Sequence, residues 1–249
     1  MRILVTRPEA EAARTAALIV AAGHEPVVAP MLEVVIARDA RLDLAGVQAV
    51  ALTSGNAVRA LAQLDDCASL RSLPTFTVGG ATAKQARAQG FSRIISAGGD
   101  GAALIAEIAA RLRPADGAVL WATGRDRAVD LASVLGQRGF SVRMVEVYRT
   151  EAIGHLPREA CDAMSQAGSG TASPAGIDAV TIFSRRTAEA YLAAVVADGV
   201  IEQARRTPTS VISAEAAAPL VAAGFSAIVI ATEPTAAAVL GAIASTPTI

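Results

Sequence analysis

The sequence has few of the residues that carry metal and redox chemistry. Its 249 residues include two cysteines, Cys67 and Cys161, and two histidines, His24 and His155. The cysteines form neither a CxxC pattern nor a disulfide framework, which is typical of a protein in a reducing compartment. Two histidines cannot supply a multi-histidine metal site, so metal chemistry of that kind is excluded.

Charge of one sign and aromatic side chains are also scarce. The formal net charge is −1, and aromatic residues make up 3% of the chain. Proteins that bind nucleic acid usually present a strongly basic field, so we expect no nucleic-acid partner here. Lys84 is the only lysine, and a coding bias towards arginine explains this better than a functional demand does.

No uninterrupted apolar run predicts a membrane span. The most apolar stretch, 216–244, is broken by Pro219, Gly224 and Pro234, and it predicts helix, strand and helix instead. Residues 1–7 start directly with a strand pattern and carry no signal-peptide pattern. We therefore expect a cytoplasmic protein with no membrane partner and, since no unusual apolar stripe announces an interface, a monomer.

The motifs of common phosphate-binding and hydrolytic enzymes are missing as well. There is no Walker sequence, and Gly79-Gly80 and Gly98-Gly99 do not form GxGxxG between a strand and a helix. No GxSxG elbow occurs, and no histidine is well placed beside a candidate serine. No pair of carboxylates stands out for acid–base work. Hydrolysis by a catalytic triad is therefore disfavoured.

Short apolar runs alternate instead with alanine-rich helical runs. Several helical runs stop at a glycine, as 9–22 does before Gly23 and 214–223 does before Gly224, where a helix C-cap favours a left-handed residue. The alternation predicts doubly wound parallel sheets of the α/β class. Strands are predicted at 2–6, 26–30, 48–53, 75–79, 93–96, 117–122, 141–147, 178–183, 208–212 and 227–231, further helices at 81–89 and 126–138, and a flexible surface loop without chemistry at 166–176.

The sequence repeats itself in a rotated order. Ala49-Val-Ala-Leu-Thr-Ser54 returns as Ala179-Val-Thr-Ile-Phe-Ser184, and segment 75–83 returns 134 residues further on. The first segment of the chain, Ile3-Leu-Val-Thr-Arg7, instead matches Val119-Leu-Trp-Ala-Thr123, 116 residues further on. A chain that starts one domain, builds a second and then finishes the first has this order. We therefore predict two similar flavodoxin-like domains, the first of them discontinuous in sequence.

The rotated repeat also predicts where the domains begin and end. Domain A is expected at 1–34 and 151–249, and domain B at 36–148. The linkers are expected at about 31–38 and 145–152, where valine-rich extended sequence predicts two antiparallel connecting strands. Two such domains imply a cleft between them.

Polar residues and arginines gather where predicted strands give way to helices. In open α/β sheets, ligands bind outside the carboxyl ends of the strands, and helix N-termini there favour anions. We therefore expect a multi-anionic ligand, although polar caps with flanking arginines are also ordinary helix punctuation. The arginines at these turns are Arg7, Arg125, Arg127, Arg185 and Arg186.

Tyr148 stands out among the few aromatic residues. It is one of two tyrosines and lies in a predicted linker strand, where its phenol could donate a proton or a hydrogen bond to a leaving group. The alternative is a packing residue with its hydroxyl in water. Tyr191, at core spacing on a helix, and Trp121, inside a strand, are expected to be structural.

Five motifs together resemble those of the uroporphyrinogen-III synthase family. The match runs from Ile3 to about Ile243 in the family's order and spacing, and it implies two α/β domains joined by a two-stranded linker, with the active site in the cleft. The motifs are Ile3-Leu-Val-Thr-Arg-Pro-Glu9, Leu52-Thr-Ser-Gly-Asn-Ala-Val58, Val78-Gly-Gly-Ala-Thr-Ala83, Val145-Glu-Val-Tyr-Arg-Thr150 and Phe183-Ser-Arg-Arg-Thr-Ala188.

The resemblance implies a reaction in haem biosynthesis. The family's substrate is hydroxymethylbilane, a linear tetrapyrrole with eight carboxylates. Its ring A hydroxyl leaves as water, ring D is inverted and the macrocycle closes, through what is generally supposed to be a spirocyclic intermediate. No metal or organic cofactor is implied. Electron-rich pyrroles supply the driving force, so the protein mainly positions the substrate and assists departure of hydroxide. A transient contact with the preceding pathway enzyme is also expected.

The resemblance also implies site residues in both halves of the chain. Tyr148 would be the acid that helps the hydroxyl leave. Two turns depart from the family's pattern: Ser213-Ala-Glu-Ala-Ala217 replaces Gly-x-Thr-Thr-Ala, and Phe183-Ser184 replaces the commoner Thr-Ser pair. The implied substrate-binding residues are Arg7, Thr53, Ser54, Asn56, Gly80, Ala81, Thr82, Arg125, Ser184, Arg185 and Ser213.

Two other classes of function stay open at this point. One is a non-catalytic two-domain binding module for a small polyanionic ligand, similar in architecture to periplasmic-type binding proteins. The missing signal-peptide pattern counts against its periplasmic version. The other is a nucleotide-dependent α/β enzyme, against which the missing phosphate loops count.

Overall fold

Strands and helices alternate along most of the described chain. The computed structural model describes residues 1–126, 130–167 and 175–244, so most of the predicted loop at 166–176 lies outside the described residues. The strands are β1 (Arg2–Val5), β2 (Glu25–Val28), β3 (Leu32–Ile36), β4 (Val47–Leu52), β5 (Pro74–Thr77), β6 (Arg93–Ser96), β7 (Ala118–Gly124), β8 (Val142–Ala152), β9 (Ala179–Ile182), β10 (Thr209–Val211) and β11 (Ile228–Ile230). The helices are α1 (Glu9–Ala21), α2 (Gly55–Leu61), α3 (Gly80–Ala88), α4 (Gly101–Arg111), α5 (Leu131–Gln137), α6 (Arg158–Ser165), α7 (Arg185–Ala197), α8 (Ile201–Arg206), α9 (Ala214–Ala222) and α10 (Ala236–Ala244), with short 3-10 turns at Asp65–Leu70 and Pro114–Asp116.

The glycines that the sequence predicts at helix C-termini are present there. Gly23 and Gly224 follow α1 and α9 with φ of 79° and 83°, a left-handed conformation that glycine adopts without a steric penalty. The prediction of a helix from residue 126 is wrong at its start. Helix α5 begins at Leu131, because the Asp130 carboxylate accepts a hydrogen bond from the Ser133 N–H at 3.1 Å and caps the helix there.

The chain divides into two compact units. Unit 1 comprises Met1–Glu33 and Glu151–Ile249, and unit 2 comprises Val34–Thr150. Each unit contains its own sheet, in which the strands are parallel except for the edge strand β3, with helices on both faces. The predicted α/β class with doubly wound sheets is confirmed.

Unit 1 has a five-stranded sheet in the order β11-β10-β9-β1-β2. Successive side chains of β1 point to opposite faces, as in any strand. Leu4 packs with buried residues of α7 and α9, whereas Ile3 and Val5 pack with α1 and α10. Tyr191 of α7 is fully buried in the first of these clusters, as the sequence predicts.

Unit 2 has the strand order β3-β8-β7-β4-β5-β6. Leu120 and Ala122 of β7 pack with α2 and α3, whereas Val119 and Trp121 pack with α4 and α5. Trp121 is 1% exposed, so its predicted core position is confirmed.

The edge strand β3 runs antiparallel to β8. The Ile153 N–H donates to the Met31 carbonyl at 2.9 Å, and the Ala37 N–H donates to the Val147 carbonyl at 3.0 Å. Residue numbers along β8 fall as those along β3 rise, which defines an antiparallel pair. Strand β8 is longer than predicted and extends without a break through residue 152.

The two sheets correspond strand for strand. The order β2-β1-β9-β10-β11 in unit 1 matches β8-β7-β4-β5-β6 in unit 2. The register matches too, since Ile3 pairs with Ala179 as Val119 pairs with Ala49. These are the residue pairs that the rotated repeat equates. The repeat therefore reflects a duplicated sheet. Among the shared strands, the chain forms β1 first in unit 1 but β4, the equivalent of β9, first in unit 2.

Candidate active site

Each sheet has one point where the helices leave towards opposite faces. In unit 2 it lies between β4 and β7, because α2 packs on one face of the sheet and α5 on the other. The crevice outside the carboxyl ends of two such strands is where open α/β sheets bind ligands. Thr53 and Ser54 follow β4 at this edge, and Arg125 follows β7.

The phenol of Tyr148 reaches the switch point of unit 2. Its hydroxyl lies 3.1 Å from Ser54 Oγ, and either oxygen can donate. Ser54 also caps α2, because its Oγ accepts a hydrogen bond from the Ala57 N–H at 3.1 Å. Since the cap already supplies that oxygen with a donor, the Ser54 position is held while the hydroxyl proton stays available to a neighbour.

A backbone irregularity and a glycine make room for the Tyr148 ring. The pairing of β7 with β8 shifts by one residue after Thr123, so that Gly124 lies opposite Tyr148. A Cβ on Gly124 would lie 2.5 Å from Tyr148 Cζ and 2.9 Å from its hydroxyl oxygen. Only glycine therefore fits beneath the ring. A one-residue shift of this kind re-aims the side chain that follows it.

The α3 end of unit 2 presents mainly backbone groups. Gly79 precedes α3 and has no side chain that could cap the helix. The backbone N–H groups in the first turn of α3 therefore receive no side-chain cap. The predicted residues Gly80 and Ala81 are exposed there, whereas Thr82 is buried.

The predicted site residue Asn56 already has a partner on its own helix. Its side-chain oxygen accepts a hydrogen bond from the Arg59 guanidinium. Beside it, the Gln85 carboxamide of α3 lies where a Cβ on Gly55 would be. Gln85 makes no side-chain hydrogen bond within the part of the chain that the structure describes.

The switch point of unit 1 lies between β1 and β9. Arg7 follows β1 and Phe183 follows β9, and the Arg7 guanidinium carbon lies 4.4 Å from the centre of the Phe183 ring. This distance is a cation–π contact. Burial lowers the pKa of Arg7, Glu11 raises it and Arg14 lowers it. An arginine stays charged despite such a shift, so the cation is partly desolvated but not neutralised.

Serine caps recur in unit 1 beside an ion-paired arginine. Ser184 Oγ accepts from the Thr187 N–H at 3.1 Å, and Ser213 Oγ accepts from the Ala216 N–H at 3.3 Å. Arg185 pairs with Glu189 one turn further along α7 at 2.9 Å. The hydrogen bond to Glu189 raises the pKa of Arg185.

The remaining predicted arginines differ from Arg7 in their surroundings. Arg125 Nε lies 3.0 Å from Glu146 Oε1, so this cation is paired with a carboxylate of its own sheet. Arg186 is exposed on the first turn of α7, and Arg127 lies outside the described residues. Within residues 1–126, 130–167 and 175–244, no group of three or more His, Cys, Asp or Glu side chains could hold a metal ion. No described helix is long and apolar enough to cross a membrane.

A comparison with protein families identifies the family of this chain. The family model described as uroporphyrinogen-III synthase HemD matches residues 13–241. The chain belongs to the uroporphyrinogen-III synthase family. No curated protein sequence gives a significant match.

Solved structures of uroporphyrinogen-III synthases match this chain over nearly its whole length. The uroporphyrinogen-III synthetase of Helicobacter pylori 26695 is 19% identical, covers 97% of both chains and superposes with a TM-score of 0.60. A mutant uroporphyrinogen III synthase from the extremely thermophilic bacterium Thermus thermophilus is 17% identical, covers 97% of this chain and 96% of its own, and has a TM-score of 0.47. The first likeness confirms the family's α/β fold for this chain.

Sequence reasoning missed three residues at the edges of this family member. Gly124 lies beneath Tyr148, Gln85 lies against Gly55, and Phe183 lies beneath Arg7. Only Phe183 had a signal, because it departs from the Thr-Ser pair that the family resemblance implies. The other two depend on strand register and on helix packing, which a sequence does not display.

Proposed function

We propose that the protein is a cyclising hydro-lyase that converts hydroxymethylbilane into uroporphyrinogen III with loss of water and inversion of ring D. The observation that carries the proposal is the Tyr148 hydroxyl, 3.1 Å from Ser54 Oγ, at the carboxyl edge of β4. Membership of the synthase family supports the choice of substrate. A phenol and a serine hydroxyl at a sheet's switch point suit assistance to a leaving hydroxyl better than they suit nucleophilic attack.

The proposed proton transfer balances over one turnover. Tyr148 donates its proton to the ring A hydroxyl, which leaves as water while the pyrrole nitrogen supplies the electron pair. The resulting cation is attacked by a ring D carbon, and the macrocycle closes after rearrangement. The proton lost from the pyrrole carbon then returns to the phenolate. Ser54 donates a hydrogen bond to that phenolate while the proton is absent.

Positioning is the second part of the proposed function. Unassisted closure gives the uninverted isomer, so the protein must hold the chain in a folded conformation until ring D has inverted. We propose that Thr53, Asn56, Gly80, Ala81, Thr82 and Arg125 in unit 2 and Arg7, Ser184, Arg185 and Ser213 in unit 1 contribute to binding. Hydroxyls, helix N-termini and guanidinium groups all favour carboxylates, and the substrate has eight of them.

We also propose a cytoplasmic location and a transient contact with the enzyme that releases hydroxymethylbilane. Cys67 and Cys161 are both free thiols, which supports a reducing compartment. A short path between the two enzymes would leave less time for unassisted closure.

The proposal is tested by the isomer that forms. Purified protein is added to freshly prepared hydroxymethylbilane, and the oxidised porphyrin products are separated by chromatography into type I and type III. We expect type III, with type I in the control without protein. Product that stays type I would overturn the proposal, and tight substrate binding without isomer change would favour the binding-module alternative.

A further inference from the structure

Arg7 and Phe183 are placed side by side by the register of two neighbouring strands. Strand β1 pairs with β9 in parallel, with Val5 opposite Thr181. Continuing that register by two residues places Arg7 opposite Phe183. The side chains meet just beyond the carboxyl ends, where α1 and α7 leave towards opposite faces of the sheet. The pair therefore occupies the ligand-binding crevice of unit 1.

The contact orients a cation without neutralising it. The guanidinium carbon lies 4.4 Å from the ring centre, and both residues are half-buried. Arg7 makes no side-chain hydrogen bond or ion pair within residues 1–126, 130–167 and 175–244. A guanidinium that rests on an aromatic face keeps its N–H groups in its own plane, where a carboxylate can accept two of them.

Two other arginines that are predicted to bind substrate carboxylates already pair with a carboxylate of the protein, unlike Arg7. Arg125 has Glu146 at 3.0 Å, and Arg185 has Glu189 at 2.9 Å. A substrate carboxylate would have to displace an internal one at either residue. At Arg7 it would meet a cation that burial has already stripped of part of its water, which strengthens attraction to an anion. Glu11 attracts this cation from one turn along the chain but forms no ion pair with it.

We propose that Phe183 is a positioning residue that holds Arg7 as the binding group for one carboxylate of the tetrapyrrole substrate. This inference rests on the proposed synthase function. It assigns a role to the residue at which the chain departs from the family's Thr-Ser pair. Phe183 acts through Arg7, and Arg7 touches the substrate.

The test measures binding separately from turnover. The probe is uroporphyrin, a stable macrocycle with the same eight carboxylates, and its Kd is followed by fluorescence at several salt concentrations. We expect Arg7→Ala to raise Kd about tenfold, because a charge-assisted hydrogen bond is lost, and to flatten the salt dependence. Phe183→Leu should raise Kd and the KM for hydroxymethylbilane about threefold with kcat nearly unchanged, and Phe183→Tyr should restore both.

Matched controls keep a folding defect apart from lost binding. Arg206→Ala removes an exposed cation from α8, which precedes β10 and lies away from the carboxyl ends of the strands, so it should leave Kd within about twofold. Circular dichroism checks that every variant is folded. In the Arg7→Ala background, Phe183→Leu should have no further effect. The same threefold loss in that background would show that Phe183 acts by itself and would overturn the inference. If Phe183→Leu leaves Kd unchanged while the wild-type protein forms type III product, the inference about Phe183 is also overturned. If the wild-type protein forms no type III product, the synthase function is overturned instead.

Discussion

The two sheets place different chemistry at equivalent positions of one scaffold. By the shared register, Phe183 and Arg7 in unit 1 correspond to Thr53 and Thr123 in unit 2. The first pair forms a cation on an aromatic ring, at 4.4 Å. The second is uncharged, and Tyr148 supplies a phenol to the same edge. The two units therefore share their strand register and differ in their edge side chains, with a cation on an aromatic ring in unit 1 and a hydrogen-bonded phenol in unit 2.

The serine caps that both units share explain why such divergence is tolerated. Ser54 and Ser184 each cap the helix that follows, with N–H···Oγ distances of 3.1 Å. These caps satisfy helix N–H groups locally. Side chains beside them can change without leaving the helix start unsatisfied.

Removing the phenol of unit 2 should have the largest effect on turnover. Tyr148→Phe keeps the ring over Gly124 and loses only the hydroxyl. We expect kcat to fall about 10²- to 10⁴-fold, the range of a lost general acid, with the midpoint of thermal unfolding little changed. Turnover and unfolding of the same preparation are the measurements. Unchanged turnover would remove Tyr148 as the acid and leave the family assignment intact.

A second disruption acts on the same ring from below. Gly124→Ala forces a Cβ to within 2.5 Å of Tyr148 Cζ, so the ring must shift. We expect a loss of about 1–3 kcal/mol in the free energy of unfolding and a fall in kcat of about 10²-fold, since a misplaced catalytic group costs this much. Gly136→Ala is the matched control, because nothing lies within 4 Å of its Cβ position. Equal effects of the two substitutions would contradict the packing argument.

The two serine caps allow a sharper comparison between the units. Ser54→Ala and Ser184→Ala should each lower the free energy of unfolding by about 1 kcal/mol, the usual value of an N-cap. Turnover should separate them, because only Ser54 also contacts the Tyr148 hydroxyl. We expect kcat to fall clearly further in Ser54→Ala than in Ser184→Ala. Denaturant unfolding and kinetics on both variants decide this, and identical kinetics would show that Ser54 is a cap and nothing more.

The smallest expected effect concerns the other tyrosine. The Tyr191 hydroxyl is buried and has no hydrogen-bond partner among the described residues, so Tyr191→Phe should raise the free energy of unfolding by about 1 kcal/mol and leave turnover unchanged.

Burial also raises the pKa of Tyr191, which gives this variant a pH signature. Above the ordinary tyrosine pKa of about 10, the unfolded chain loses a proton that the folded protein retains, so stability falls as pH rises. The advantage of Tyr191→Phe should therefore grow above pH 10 in chemical denaturation. A difference that stays constant with pH would contradict the assigned burial.

Much of this protein was determined by the sequence alone. Apolar runs, helix-ending glycines such as Gly23 and the rotated repeat predict parallel α/β sheets, because strand and helix periodicity and capping are local properties of the chain. The family follows from ordered motifs. The start of α5 was predicted wrongly because the helix is capped by Asp130, and the local sequence does not show which acidic residue near its start will cap it.

Only the tertiary structure decided which side chains meet at the edges. Tyr148 and Ser54 are 94 residues apart in the chain and still form a hydrogen bond, and the Arg7–Phe183 contact depends on the pairing of β1 with β9. Whether an arginine stays available to a ligand or pairs with a glutamate, as Arg125 does, depends on the same register. Strand register and the one-residue shift after Thr123 are set by packing of the whole sheet, which no short stretch of sequence specifies.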